Sequence, residues 1–448
     1  MKKIQLTTLI LSFLCIGTML FAGGFALTGV GSRATSMGGA FRGLADDATA
    51  MYWNPAGLGF IDNNLLDLGG TFIMPSGTWD SKGTTFATKP GYQDKVYEAE
   101  KSLRAFPNLF VTMAKHPKLK YGLGVYVPYG LGTTWDIYSL PTTLVTPGGS
   151  LPAVYQAGFP EQETKSSIAV IDVHPTVAYQ ITPQLSAGLG ISVQQTSIEL
   201  GKAYLPDPTN PYAPVSYLMT GDGIGIGANM GLLFKPTQCL SLGLSAKLPS
   251  KVALDGEAEV LLWTPQTTVA AMKLGGKSDI ESDLDLPADI GLGVSYKVKP
   301  NWAVNLDYTY TMWSSLEDVI VKMKNPVTLT PGNVVAETVI PFKWEDTHRI
   351  SLGTEYLMGC NSFRAGFFMD QSPIPAETQT PTLSDISTKL SGNIGYGRNL
   401  GMFYFDVSAQ YIHFGEREIK PSEQTANNMA GKYNTNSISG NIGIGYRF

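Results

Sequence analysis

Charge is scarce in this chain. Asp, Glu, Lys and Arg make up 15% of the 448 residues, against roughly 25% in an ordinary soluble domain. The net charge is −5 and no cluster of Lys or Arg stands out, so no nucleic-acid partner is expected. Histidine is limited to His116, His174, His348 and His413, in unrelated places. There is no metal-spaced His pair, no Gly-x-Ser-x-Gly and no phosphate loop, so neither an enzyme nor a metal or cofactor site is expected. Of three cysteines, Cys15 falls in the apolar N-terminal run, and Cys239 and Cys360 sit in short connections. Four expected strands separate those two, roughly 20 Å at about 4.8 Å per strand. A disulfide cannot span that distance, so two free thiols are expected. Beyond the N-terminus no apolar run is long enough for a membrane helix. Yet the mean hydropathy, +0.01, is high for a soluble protein.

What is present is alternation. Ile438, Gly440, Ile442, Ile444, Tyr446 and Phe448 share one face, and Ser437, Ser439, Asn441, Gly443, Gly445 and Arg447 share the other. Successive strand side chains point to opposite faces, so the segment has a greasy side and a small or polar side. The pattern recurs at Leu185–Val193, Ile224–Phe234, Leu240–Leu248, Trp302–Met312 and Phe403–Tyr411. With Gly, Ser and Asn opposite the apolar face, it fits a transmembrane barrel with lipid outside and a polar lumen. Fourteen strands are expected, near 64–75, 106–115, 119–130, 166–180, 184–199, 221–235, 238–253, 284–298, 301–322, 335–357, 361–372, 385–398, 401–415 and 430–448. Short turns and long connections interleave, as an all-β, antiparallel up-and-down barrel requires. The terminal Phe448 is the expected handle for the barrel-assembly machinery, with outer-membrane lipid and lipopolysaccharide around a monomer.

The chain starts with Lys2 and Lys3, an apolar run from Ile4 to Leu20, and small residues at Ala22, Gly23 and Gly24. This reads as a secretory signal over 1–22, cleaved after Ala22. Residues 23–61 do not fit the barrel pattern, which is taken to occupy 62–448. They are rich in Ala and Gly but carry Phe25, Leu27, Met37, Phe41, Met51, Tyr52 and Trp53, so they pack against something. A plug in the lumen is expected. Asp46 or Asp47 is placed to cap a short helix that stops before Pro55.

This segment resembles the hatch of the FadL/TodX family of outer-membrane transporters of long-chain fatty acids and aromatic hydrocarbons. The resemblance rests on Gly24–Leu27, Met37–Ala40, Ala45–Ala48 and Asn54–Leu58. It continues at Trp313–Leu316 and through Trp344, Asp346, Arg349, Gly353, Arg364, Gly366, Asp370, Pro373 and Pro375. It implies a fourteen-strand barrel closed by a hatch that includes Phe25, Asp46, Asp47, Asn54, Pro55 and Ala56. It also implies a capture groove on external loops, a deeper pocket, and a lateral opening at a kinked third strand, here carrying Gly122, Gly124 and Pro128.

Two expected external loops are oddly apolar. Residues 200–220 carry Tyr204, Leu205, Tyr217 and Leu218; residues 254–283 carry Leu261, Leu262, Trp263 and Met272. These are the candidate groove residues, which either pack on each other or hold a hydrophobic ligand. Strand parity turns Arg349, Arg364, Lys389, Asp307, Asp370 and Asp406 toward the lumen. Arg349, Arg364 and Lys389 then either anchor the hatch, with Arg33, Arg42, Asp46 and Asp47 as partners, or hold a fatty-acid carboxylate. The expected function is passive uptake of hydrophobic compounds, most of all long-chain fatty acids. The alternatives are an aromatic or alkane hydrocarbon channel, a general porin, and a structural or adhesive barrel.

Overall fold

The computed structural model describes residues 24–84, 93–137, 164–204, 215–262, 275–330, 333–425 and 427–448. The expected leader, 1–22, lies outside them. Among the described residues one antiparallel sheet closes on itself through fourteen wall strands. They are β1 (Leu65–Asp80), β2 (Val96–Glu98 and Arg104–Met113), β3 (Leu119–Trp135), β4 (Thr164–Thr182) and β5 (Leu185–Tyr204). Then come β6 (Val215–Phe234), β7 (Leu240–Lys247 and Ser250–Leu262), β8 (Gly276–Leu286 and Asp289–Lys299), β9 (Trp302–Thr311 and Asp318–Thr330) and β10 (Asn333–Pro341 and Thr347–Met358). The wall ends with β11 (Asn361–Asp370), β12 (Lys389–Leu400), β13 (Phe403–Ile419) and β14 (Gly431–Arg447). Pairing of β1 with both β14 and β2 completes the ring. Closure matters because hydrocarbon offers no partner to a bare strand edge.

The alternation read in the sequence sorts side chains as a membrane barrel does. Ile224, Ile226, Ile394, Ile442 and Ile444 are exposed on the outer surface, while Asn229, Ser295, Asn305, Asn393 and Asn441 are buried inside. Cys239 and Cys360 are both free and exposed, consistent with their distant turns.

Strand ends depart from expectation in a consistent way. β5 runs to Tyr204 and β6 begins at Val215; β7 runs to Leu262 and β8 begins at Gly276. Most residues assigned to two greasy loops are therefore rungs of a ladder. Tyr217 pairs with Lys202 and Val260, and Leu261 pairs with Ser216. Their alternate residues make an apolar inner face: Val215, Met219, Val252, Leu254, Val260 and Ile280 are buried together. β9 and β10, expected unbroken, are interrupted at 312–317 and 342–346. At the first interruption Trp313–Ser315 forms a short 3-10 turn, and both breaks turn a tryptophan, Trp313 or Trp344, into the interior.

Residues 24–61 lie inside this ring. They form two short helices, α1 (Ser32–Ser36) and α2 (Ala50–Trp53), and a 3-10 turn over Pro55–Phe60. The Asp47 carboxylate accepts from the Thr49 amide and hydroxyl just ahead of α2. Asn54 stops that helix, and its side chain accepts from the Ala56 amide at the start of the Pro55 turn. Ala34, Met37, Ala40, Phe41, Ala45, Ala48, Met51 and Ala56 have no exposed surface.

Candidate functional site

The inner segment is tied to the wall first by charge. Arg42 pairs with Asp289 of β8 at 3.0 Å and donates to Ser245 of β7 at 2.6 Å. The backbone amides of Phe41 and Arg42 both donate to the Asp307 carboxylate of β9, at 2.9 and 2.6 Å. Arg33 reaches Glu355 of β10 at 2.8 Å and Asp46 at 2.6 Å. Glu355 in turn binds Arg364 of β11 at 2.6 Å, and Arg364 also pairs with Asp406 of β13. These groups are nearly all buried, so each needs its partner. Amides supply further ties: Asn54 donates to the Leu232 carbonyl and Asn229 to the Met51 carbonyl. Two wall glycines let the backbones touch. A Cβ at Gly293 would fall inside the backbone of Gly43, and one at Gly366 inside that of Met37 and Gly38.

The start of the segment is held differently. Phe25 packs on Tyr129 of β3, Trp313 and Trp344, with ring centroids 5.7, 5.0 and 5.3 Å away. Leu27 N–H donates to the Pro128 carbonyl at 2.9 Å, and Gly130 N–H to the Phe25 carbonyl at 3.0 Å. Residues 25–27 thus form a short bridge onto the edge of β3, centred on Ala26 and Tyr129.

That edge is free because β2 has left it. The β2–β3 ladder runs from Met113–Tyr121 to Leu109–Val125 and stops. A bulge in β3 between Tyr126 and Tyr129 follows at once. Proline and an extra residue both weaken pairing and bend a strand. Higher up, β2 and β3 meet again only near the Ala99–Trp135 bridge. The separated stretch opens on a cleft of about 90 Å³, lined by Leu27, Ile73, Phe106, Leu131, Ile412 and Phe414. Arg104, Lys389, Gln410, Ser437 and Ser439 add polar groups to the same walls.

Of the residues singled out from sequence, Phe25 lies beside this cleft and Lys389 within it. Lys389 is paired with Asp385 at 3.0 Å and Asp370 at 3.5 Å. Arg349 donates to the carbonyls of Thr28, at 2.8 Å, and Gly38, at 3.1 Å, with its guanidinium 4.0 Å from the Phe368 ring centre. Arg364 sits in the Glu355–Asp406 network, away from the cleft lining. Asp46, Asp47, Asn54, Pro55 and Ala56 belong to the anchored part. Gly122 and Gly124 lie in the intact β2–β3 ladder, below the separation; Pro128 is at its start.

The groove candidates are not gathered in one place. Tyr217 packs against the inner apolar cluster. Leu218, its neighbour along β6, is half-buried and by alternation points the other way, as does exposed Leu261 beside Val260. Tyr204 and Leu262 are placed by backbone alone, and Leu205, Trp263 and Met272 lie outside the described residues. The strand expected over 106–115 leaves out Arg104, and Phe106 within it is not among the candidate site residues. The signal was there: Leu103, Ala105 and Pro107 alternate with Arg104, Phe106 and Asn108. Sequence reading also missed a buried polar cluster in which His174 bonds Ser192 and Asn229 at 2.9 and 3.0 Å, and Ser192 donates to Asp172.

Known proteins share this fold. A crystal structure of a Pseudomonas aeruginosa FadL homologue superposes with a TM-score of 0.78, at 18% identity, covering 95% of this chain and all of that one. The Pseudomonas putida toluene transporter TodX gives 0.67 at 18% identity over 94% and 99%. In sequence, the long-chain fatty acid transport protein of Escherichia coli O6:H1 is 25% identical over 430 residues, 89% of this chain and 88% of its own. The family model for outer membrane protein transport proteins (OMPP1/FadL/TodX) matches residues 13–448. A closed barrel with a greasy exterior, filled by its own N-terminal segment and matched by that model along nearly its whole length, belongs to the OMPP1/FadL/TodX family. It is an integral barrel of the Gram-negative outer membrane that transports hydrophobic compounds and is not an enzyme.

Proposed function

We propose that this chain takes up long-chain fatty acids, with residues 24–61 acting as the hatch and the separation of β2 from β3 as the exit into the membrane. The observation that carries the reading is the cleft beside Gly24–Thr28. It joins a long apolar wall to two cationic side chains, Arg104 and Lys389. An alkyl tail gains burial on the first, and a carboxylate needs the second. The fatty acid transport protein among the sequence relatives supports the same ligand class. Capture falls to the apolar strand extensions, with Leu218 and Leu261 as the first residues to examine there, and to Trp263, which lies outside the described residues. Phe448 serves barrel assembly, and the molecule works as a monomer among lipid and lipopolysaccharide.

The test is uptake of radiolabelled oleate by cells that lack any other such channel, with and without this protein. A second arm measures entry of toluene. Oleate entry that depends on the protein supports the reading. Toluene entry without oleate entry would replace it with the hydrocarbon channel. In the same cells Trp263→Asp should slow oleate uptake at low concentration while the barrel keeps its heat-modifiable mobility.

A further inference from the structure

The lumen of this barrel holds many cations, and nearly all are engaged. Arg33, Arg42 and Arg364 each pair with wall or segment carboxylates. Lys247 lies 3.8 Å from Asp289 and 4.0 Å from the Tyr52 ring centre. Arg349 is spent on backbone carbonyls. Lys389, inside the cleft, faces two carboxylates, so its neighbourhood is net negative before any ligand arrives.

Among the described residues Arg104 is the exception. Its side chain comes off β2 on the inner face, beside Phe106, where β2 has parted from β3. Across the separation it lies flat on Gly132: a Cβ there would meet Arg104 Cζ and Nη2 at 2.9 Å. Phe106 sits in the same way on Gly130. Two glycines of β3, one strand period apart, leave room for the two β2 side chains that span the opening. Arg104 Nε is buried and has no hydrogen-bond partner among the described residues, and no carboxylate there lies within ion-pairing distance of the guanidinium. A buried donor left without an acceptor is costly, and a carboxylate satisfies a guanidinium with two parallel bonds.

We propose that Arg104 is the residue that reads the head of an anionic amphiphile, a long-chain carboxylate, in the cleft between β2 and β3. The inference rests on the uptake reading above and deepens it. The carboxylate binds at the β2–β3 edge, because the Lys389 end of the cleft already carries two acidic groups for one cation. The tail lies along Leu27, Ile73, Ile412 and Phe414 toward the opposite wall. The charged head therefore waits at the opening in the wall, and an uncharged chain of the same length has no preferred end.

The test is equilibrium binding of tritiated hexadecanoate and hexadecan-1-ol to the purified full-length protein in lipid nanodiscs, at about pH 8 so that the acid is ionised. The parent should prefer the acid. Arg104→Met should weaken acid binding by about tenfold or more and leave the alcohol unchanged. Arg104→Lys should recover part of the acid preference, since it restores charge without the planar fork. Arg104→Gln, which keeps a polar stem, gives the same reading if Arg104→Met does not fold by heat-modifiable mobility. A parent that prefers the acid together with a folded Arg104→Met that prefers it equally would overturn the assignment and leave the uptake reading standing. A parent that binds the alcohol as well as the acid also overturns it. A parent that binds neither removes the uptake reading itself.

Discussion

Two parts of one inner segment are held in opposite ways. Residues 30–60 are fixed by ion pairs to β8, β10 and, through Arg364, β13, by carbonyl-to-amide bonds, and by backbone pressed on wall glycines. Residues 24–28 are held by the two backbone bonds to β3, the three ring contacts of Phe25, a backbone bond from Gly24 to Asp385, and the Thr28 bonds to Arg349 and Gln410. A buried ion pair is expensive to break because the remaining partner is left alone in low dielectric. A backbone hydrogen bond exchanged for water costs only about 1 kcal/mol. On the hatch reading proposed above, the anchored part is the one expected to seal and the strand-like start the one expected to yield when a ligand passes.

The contrast breaks most plainly if the anchored part is not a seal. Deleting residues 24–57 while keeping the leader should turn a nearly silent barrel into one with large, steady ion conductance in planar bilayers. High conductance from the intact protein would show that residues 30–60 do not close the lumen. Next in size is the charge network. Arg364→Met strands Asp406 inside the wall and leaves Glu355 with Arg33 alone, and a loss on the order of 3–5 kcal/mol is expected for one partner of a buried pair. Thermal unfolding followed by gel mobility would read it, and a shift of only a degree or two would mean the network is solvated.

The movable part is tested by stopping it. Ala26 and Tyr129 face each other between the two flanking backbone bonds, the closely approaching kind of antiparallel pair. Cysteines at both positions, with Cys239 and Cys360 replaced by serine, should form a disulfide under oxidation. Oleate uptake should fall about tenfold or more when it forms and return on reduction, with stability unharmed. Uptake unaffected by the bridge would mean that residues 24–28 need not move.

The smallest effect concerns the connection between β11 and β12, which folds over the cleft. Burial, only partly offset by Lys389, pushes the Asp385 carboxyl up to about 6. A carboxyl raised in the folded state binds its proton more tightly there than in an unfolded loop, where about 3.9 is usual. The folded connection therefore gains stability as pH falls from about 6 toward 4, and loses it as pH rises through 6. Limited proteolysis within 371–388 should be slower at pH 5 than at pH 7.5, and Asp385→Asn should flatten the difference. Equal rates for the parent at both values would rule this out.

The wall was legible because lipid on one side and a lumen on the other force a period of two, and Ile442, Ile444 and Tyr446 could only be read one way. The parity that turned Asp307, Arg364 and Lys389 inward came from the same rule. What pairs with what inside was not legible. Arg33 meets Glu355 across more than three hundred residues, and no local pattern encodes that. The interruptions in β9 and β10 escaped because Trp313 and Trp344 fit an alternating strand as well as they fit a fold toward the interior. The apolar stretch near Leu261 looked like a loop because its alternation continues beyond the thickness of the membrane, where the rule of a greasy exterior no longer applies.

The ring cluster around Phe25 has one more consequence. Trp313 and Trp344 are two of the seven tryptophans, both almost wholly buried, and both pack against the same phenylalanine. Indole emission moves to longer wavelength when water reaches the ring. If Phe25 withdraws, its place is taken by solvent or by an alkyl chain, and these two indoles report which. On the proposed reading these two indoles would gauge the opening, and stopped-flow emission would time the passage of a ligand without any added label.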